Sequence, residues 1–267
     1  MKIIVVTTHK GGVGKTMLAA HLAWHYAGKG LRVLALDLDM QGNLSSTLSR
    51  HSCAITAGTL FQQEQPEALP DGTPGQVTLI GSDKALAAAG KSGMAIVGLF
   101  VKQMRALAAN FDICIVDTNA ELNYLVVAAL AAATHAISPS DMSSFAREGV
   151  HSLLQVVQKL QQQHNPDLVF LGVLPNRFAA TKPADVQNLC VLVDTFGAGN
   201  LFPAILRDGN AYREAMEPIR GDDASGPRPI WEDRKPAAQS HIADMVKVLA
   251  YLDRRVFPET EPVVALV

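Results

Sequence analysis

Residues Val6–Leu18 read VTTHKGGVGKTML. The apolar run Lys2–Val6 leads into this stretch, Gly11, Gly12 and Gly14 crowd its middle, and Lys15 and Thr16 open a helical period. A strand, a glycine-rich turn and a helix in that order aim backbone N–H groups at one anion. Lys15 then offers a cation to phosphate oxygens, and the Thr16 hydroxyl a ligand to Mg²⁺. A glycine turn before a helix also occurs for packing alone, but the strand and the Lys-Thr pair favour the phosphate reading. The plain pattern G-x-x-x-x-G-K-[ST] is not met in full. His9 stands at the first glycine position, and a second lysine, Lys10, precedes Lys15.

Outward from this loop, strands are expected at Ile3–Val6, Val33–Leu36, Val77–Ile80, Ile113–Val116, Ala136–Ser138 and Leu168–Leu174, with a weaker one at Leu201–Ile205. Near-continuous apolar runs suit a sheet covered on both faces. Helical spacing joins Val150, Leu153, Leu154, Val157 and Leu160, and again Ile242, Met245, Val246, Leu249 and Leu252. Alternating strands and helices predict an α/β fold: a doubly wound, mostly parallel sheet with helices on both faces. Gln62–Gln76 and Gly221–Pro229 are expected as surface loops. Residues 1–255 are read as a single domain and 256–267 as a poorly ordered tail.

Two further strand ends carry carboxylates. FDICIVDTN places Asp117 directly after an apolar run, and RVLALDLDMQGN does the same for Asp37 and Asp39. Mg²⁺ takes oxygen ligands in near-octahedral geometry, and in a doubly wound sheet the strand C-termini open onto one crevice. Any one of these aspartates could equally be a helix cap or a turn residue.

Composition bounds the function. With 267 residues, 48% hydrophobic and 18% charged, the chain has ample core material. A formal net charge of -2 gives no global footprint for nucleic acid, so DNA contact would need a local patch. Cys53, Cys114 and Cys190 lie far apart, which speaks against a zinc site or a disulfide framework. They are read as small buried side chains. No run reaches the length of a membrane span, and MKIIVV enters the loop with no cleavage site. A soluble, intracellular protein is expected.

KGGVGKT, with lysine first, resembles the deviant Walker A motif of the ParA/MinD family of P-loop ATPases. DLDMQGN is similar to that family's D-x-D-P-Q-G-N segment. AAATHAISPSDMSSFAREGV, LGVLPNRF and AILRDGNAYREAMEP resemble later family segments. The likeness runs from Lys2 to about Arg254 and is nearest to the compact plasmid-partition type without an N-terminal DNA-binding extension, because the loop begins almost at residue one. It implies ATP and Mg²⁺ as cofactors and nucleotide contacts from Lys10, Gly11, Gly12, Val13, Gly14, Lys15, Thr16 and Met17. Thr16, Asp37 and Asp117 would form or support the metal site. Lys10 would reach the phosphates held by a partner copy, and Asp39 would orient the attacking water, making Lys10, Lys15 and Asp39 the catalytic set. Asn176 matches the position that bonds adenine, with Arg177 and Asp208 nearby.

The same resemblance implies an ATP-dependent homodimer that binds DNA without sequence preference. A ParB-type centromere-binding partner would stimulate hydrolysis and release it, in the cytoplasm over the nucleoid. Arg207, Arg213 and Arg234 are the candidate DNA contacts, with Lys182, Arg220, Arg228 and Lys235 beside them in the same basic region. Each could equally be solvated surface charge. Alternatives are a positioning ATPase for a cargo other than DNA, a MinD-like membrane-associated ATPase, and a metabolic P-loop reductase or ligase. The ending FPETEPVVALV lacks the basic amphipathic helix that membrane recruitment needs, and the reductase's paired cysteines are missing. Two departures stand out. Asp117–Ala120 reads DTNA where the family has D-T-P-P, and Met40 replaces a proline; both bear on hydrolysis rate more than on ATP binding.

Overall fold

The computed structural model describes residues 1–63, 68–141, 146–217 and 226–258. Its strands are β1 (Lys2–Val6), β2 (Val33–Leu38), β3 (Ser52–Thr56), β4 (Val77–Gly81), β5 (Ile113–Thr118), β6 (His135–Ser140) and β7 (Val169–Pro175). Helices are α1 (Lys15–Gly28), α2 (Asn43–Thr47), α3 (Leu86–Ala89), α4 (Ala95–Leu107), α5 (Tyr124–Ala132), α6 (Ala146–Gln163), α7 (Pro183–Phe196), α8 (Ala211–Met216) and α9 (Gln239–Val256). The strands form one sheet in the order β3-β4-β2-β5-β1-β6-β7, and every pairing is parallel.

The apolar runs explain the centre of this sheet. β2 and β5 are buried along their whole length, as runs covered on both faces must be. One core cluster joins the sheet to α4, α5 and α6 through Phe100, Leu125 and Leu153. On the other face Leu18, Leu22, Met245 and Leu249 bring α1 and α9 onto the sheet. The expected doubly wound α/β architecture is therefore present.

Four local expectations fail, each for a physical reason. β3 was not foreseen: it is an edge strand whose residues alternate between exposed and half-buried, so it has no continuous apolar run. Leu201–Ile205 forms no strand; Leu201 makes only an isolated bridge to Val173, and Pro203 lacks the N–H a ladder needs. Along α9 Val246 is exposed, and Val248 takes its place beside Met245, Leu249 and Leu252. The tail expected from residue 256 starts too early, because Val256 is buried at the end of α9 and Phe257 packs edge-on against Tyr26. Residues 259–267 lie outside the described residues, as does most of the loop expected at Gly221–Pro229. Of the cysteines, Cys114 is buried as expected, Cys53 is intermediate and Cys190 is exposed.

Among the described residues no helix is long and apolar enough to cross a membrane. The register sets the height of the strand ends. Asp117 lies level with Val6 on one side and with Asp37 on the other. The loop after β1 and both aspartates thus meet at one rim.

Candidate nucleotide-binding site

Gly12 and Gly14 adopt φ of 72° and 94°, the left-handed region that other residues resist. At Gly14 a Cβ would also collide with the Asn176 amide. Gly14 opens α1 without any side-chain cap, and the first helical bond runs from Leu18 N to Gly14 O at 3.0 Å. The N–H groups of Lys15, Thr16 and Met17 are left without helical acceptors, an arrangement that suits an anion.

The two lysines have different surroundings. Lys15 is 7% exposed, and its Nζ donates to Lys10 O at 3.1 Å. Burial pulls its pKa down, while Asp117 and Asp39 push it back up. Lys10 is more open to solvent. Its Nζ lies 2.7 and 2.8 Å from the two carboxylate oxygens of Asp141, just past β6.

Asp117 is completely buried, and the Thr16 hydroxyl donates to its Oδ2 at 2.6 Å. Burial pushes the Asp117 pKa up to about 8, with Asp37 and Asp39 adding to the rise and Thr16 and Lys15 opposing it. Among the described residues its Oδ1 has no hydrogen-bond partner. A buried carboxylate with one orphaned oxygen next to a threonine hydroxyl suits a divalent cation, which would satisfy that oxygen and keep the group ionised. Among the described residues no three His, Cys, Asp or Glu side chains converge on a point. The remaining ligands would therefore be phosphate oxygens and water.

The other two aspartates have different surroundings. Asp37 was expected to support the metal shell, but both of its oxygens are engaged in the following turn. Oδ1 accepts the Asp39 N–H at 3.0 Å, while Oδ2 accepts the Ser45 N–H at 2.8 Å and its hydroxyl at 2.7 Å. Asp37 thus acts as a brace beneath the β2–α2 turn. Asp39, held by an Asx turn to Gln41 N at 3.0 Å, is the one that faces the cavity.

Two adjoining cavities meet at this rim. One of about 520 Å³ is lined by Gly11, Gly12, Lys15, Thr16, Asp39, Asn119 and Glu121 among others. The second, about 440 Å³, is lined by Asn43, Asn176, Arg207, Asp208, Tyr212 and Arg213 among others. Gly14, Thr16, Met17, Asn43 and Arg177 line both. The first cavity, with Lys15 and the glycine loop in its wall, suits a polyanion. Asn176, Arg177 and Asp208 fall in the second cavity, on the side where a base was expected. Asn176 also holds the loop itself. It is 3% exposed, and its Nδ2 donates to Val13 O at 2.8 Å.

The candidate DNA contacts differ in their surroundings. Arg207 lines the second cavity, and its guanidinium grips Asp244 of α9 at 2.6 and 3.0 Å, so it does not present an unpaired outward charge. Lys182 pairs with Asp208 and Lys235 with Glu214. Arg213 and Arg234 are exposed, and Arg220 lies outside the described residues. Sequence reasoning missed Asp141, whose pairing with Lys10 joins segments that meet only after folding. It also missed Asn119, where the loss of a proline is at the same time the gain of an amide.

A family model described as an AAA domain matches residues 1–170. The chain is 31% identical over 258 residues to Protein IncC of Escherichia coli, covering 94% of this chain and 69% of that protein. It is 31% identical over 196 residues to the chromosome partitioning protein ParA of Myxococcus xanthus, covering 66% of this chain and 65% of the relative. Among solved structures, cobyrinic acid a,c-diamide synthase from Mycobacterium smegmatis with bound ADP and magnesium superposes with a TM-score of 0.67. The identity there is 26%, over 81% of this chain and 93% of that one.

Proposed function

The chain belongs to the ParA/MinD family of P-loop ATPases, close to the plasmid partition proteins, and on that premise we propose that it is an ATP-driven dimerisation switch for DNA partition. The observation that carries this reading is the pair of lysines on one phosphate loop. Lys15 is buried against the carboxylates of its own site, whereas Lys10 stands at the mouth on a breakable ion pair with Asp141. A cation held at the rim can exchange its carboxylate for the phosphates of a nucleotide in a second copy.

In this reading ATP occupies the joined cavities, and residues 1–255 act as one ATPase domain. Thr16 and Asp117 would hold Mg²⁺, which would supply charge neutralisation for phosphoryl transfer. Gly11, Gly12, Val13, Gly14 and Met17 contribute backbone N–H groups, Asp39 orients water, and Arg177 and Asp208 border the base. As a dimer the protein doubles a surface carrying Arg213 and Arg234, which would give an otherwise acidic chain a local grip on DNA phosphates. A ParB-type partner stimulates hydrolysis and resets the switch over the nucleoid.

Light scattering on the purified chain with Mg²⁺ and a non-hydrolysable ATP analogue tests this. A mass doubling with the analogue but not with ADP is expected, together with DNA binding that follows the dimer and weakens as salt rises. A chain that stays monomeric at saturating analogue would overturn the reading.

A further inference from the structure

Asn119 stands where the family segment has its first proline, so it brings a polar side chain to a place that lacks one in that pattern. It follows β5 directly and is only 7% exposed. It lines the phosphate-end cavity together with Lys15, Thr16 and Asp39. Its Oδ1 is buried and, among the described residues, has no hydrogen-bond partner. A buried amide oxygen left without a donor is costly and uncommon unless a ligand completes it. Triphosphate oxygens at neutral pH are acceptors and cannot do so. Water can.

We propose that Asn119 accepts a hydrogen bond from the attacking water and, with Asp39, points that water's lone pair at the γ-phosphorus. One acceptor fixes one O–H bond and leaves the molecule free to spin about it. A second acceptor removes that freedom, and holding a nucleophile in its attack geometry is a recognised source of rate. The water oxygen forms the new bond to phosphorus and the β–γ bridging oxygen departs with its electron pair on ADP. The water's protons end on inorganic phosphate and solvent. The mount for Asn119 is rigid. Thr118 Oγ1 donates to Val6 O at 3.0 Å on one side, and Asn123 caps α5 by accepting from Leu125 N at 3.1 Å on the other.

The inference rests on the ATPase reading, and its test separates the two. Asn119→Ala and Asn119→Asp would be compared with the unsubstituted protein by single-turnover hydrolysis of ATP, by affinity for a fluorescent ADP, and by thermal unfolding without nucleotide. Asn119→Ala should bind ADP and unfold like the parent yet hydrolyse roughly 10²-fold more slowly. Asn119→Asp keeps an acceptor and should retain most of the rate, with weaker ATP binding from its added charge. An Ala variant at the parent's rate would overturn the proposal, as would one whose ADP affinity, stability and rate fall together, or an Asp variant as slow as Ala. A parent protein that neither binds nor hydrolyses ATP would instead sink the ATPase reading itself.

Discussion

Lys10 of the phosphate loop and Asp141 beyond β6 form an ion pair at 2.7 Å across 131 residues of chain. That pair keeps the loop's outer lysine close to its own subunit, and any reach toward a second copy has to break it.

Asp141→Asn should therefore strengthen the ATP-dependent dimer by about fivefold, the equivalent of ~1 kcal/mol for a partly exposed pair. Lys10→Ala should abolish the dimer and leave ATP affinity nearly unchanged. Sedimentation against nucleotide concentration measures both. A Lys10→Ala protein that still dimerises with ATP removes the trans role.

Asp117 couples stability to pH. Its pKa is pushed up to about 8 by burial, against roughly 3.9 in an unfolded chain. Between these values the folded state holds a proton that the unfolded state has released, so this group's contribution falls as pH rises toward 8. Without nucleotide or magnesium, the unfolding temperature should fall as pH rises from about 4 to about 8 and level off above that, and Asp117→Asn should flatten the fall. Magnesium with ADP should also flatten it by compensating the ionised carboxylate. A wild-type slope that survives in Asp117→Asn would place its origin elsewhere.

Asn176 is the brace of the loop through its 2.8 Å bond to Val13 O. Asn176→Ala should weaken binding of ATP and GTP alike, by about tenfold for one lost buried hydrogen bond. A loss confined to adenine nucleotides would make base recognition its main role instead.

The arginines should separate into two groups. Asp244 is 6% exposed, so Arg207→Ala leaves a buried carboxylate without its partner and should lower the unfolding temperature. Arg213→Glu and Arg234→Glu should leave stability nearly unchanged and weaken binding to a random-sequence duplex at low salt. Unaltered DNA binding in the double variant would remove both from the interface.

Much of this was readable from local pattern. The loop, its strand and its helix occupy one contiguous stretch, and Asp117 and Asp39 follow apolar runs that had to be buried strands. What was not readable depends on distance or exposure. The engagement of Asp37 with Ser45 depends on how the β2–α2 turn closes. The Lys10–Asp141 and Arg207–Asp244 pairs join segments that meet only after folding. β3 escaped because an edge strand wetted on one side carries no continuous apolar signature.

The position of β1 in the sheet has a consequence for biosynthesis. Among the described residues this strand pairs with β5 and β6, whose partner residues begin at Ile113 and His135, more than a hundred positions later in the chain. At ordinary elongation speeds it waits on the order of 10 s for its neighbours to emerge. Throughout that interval Ile3–Val6 is an unpaired apolar edge. A nascent chain stalled before β5 would thus expose the segment from which the phosphate loop later hangs.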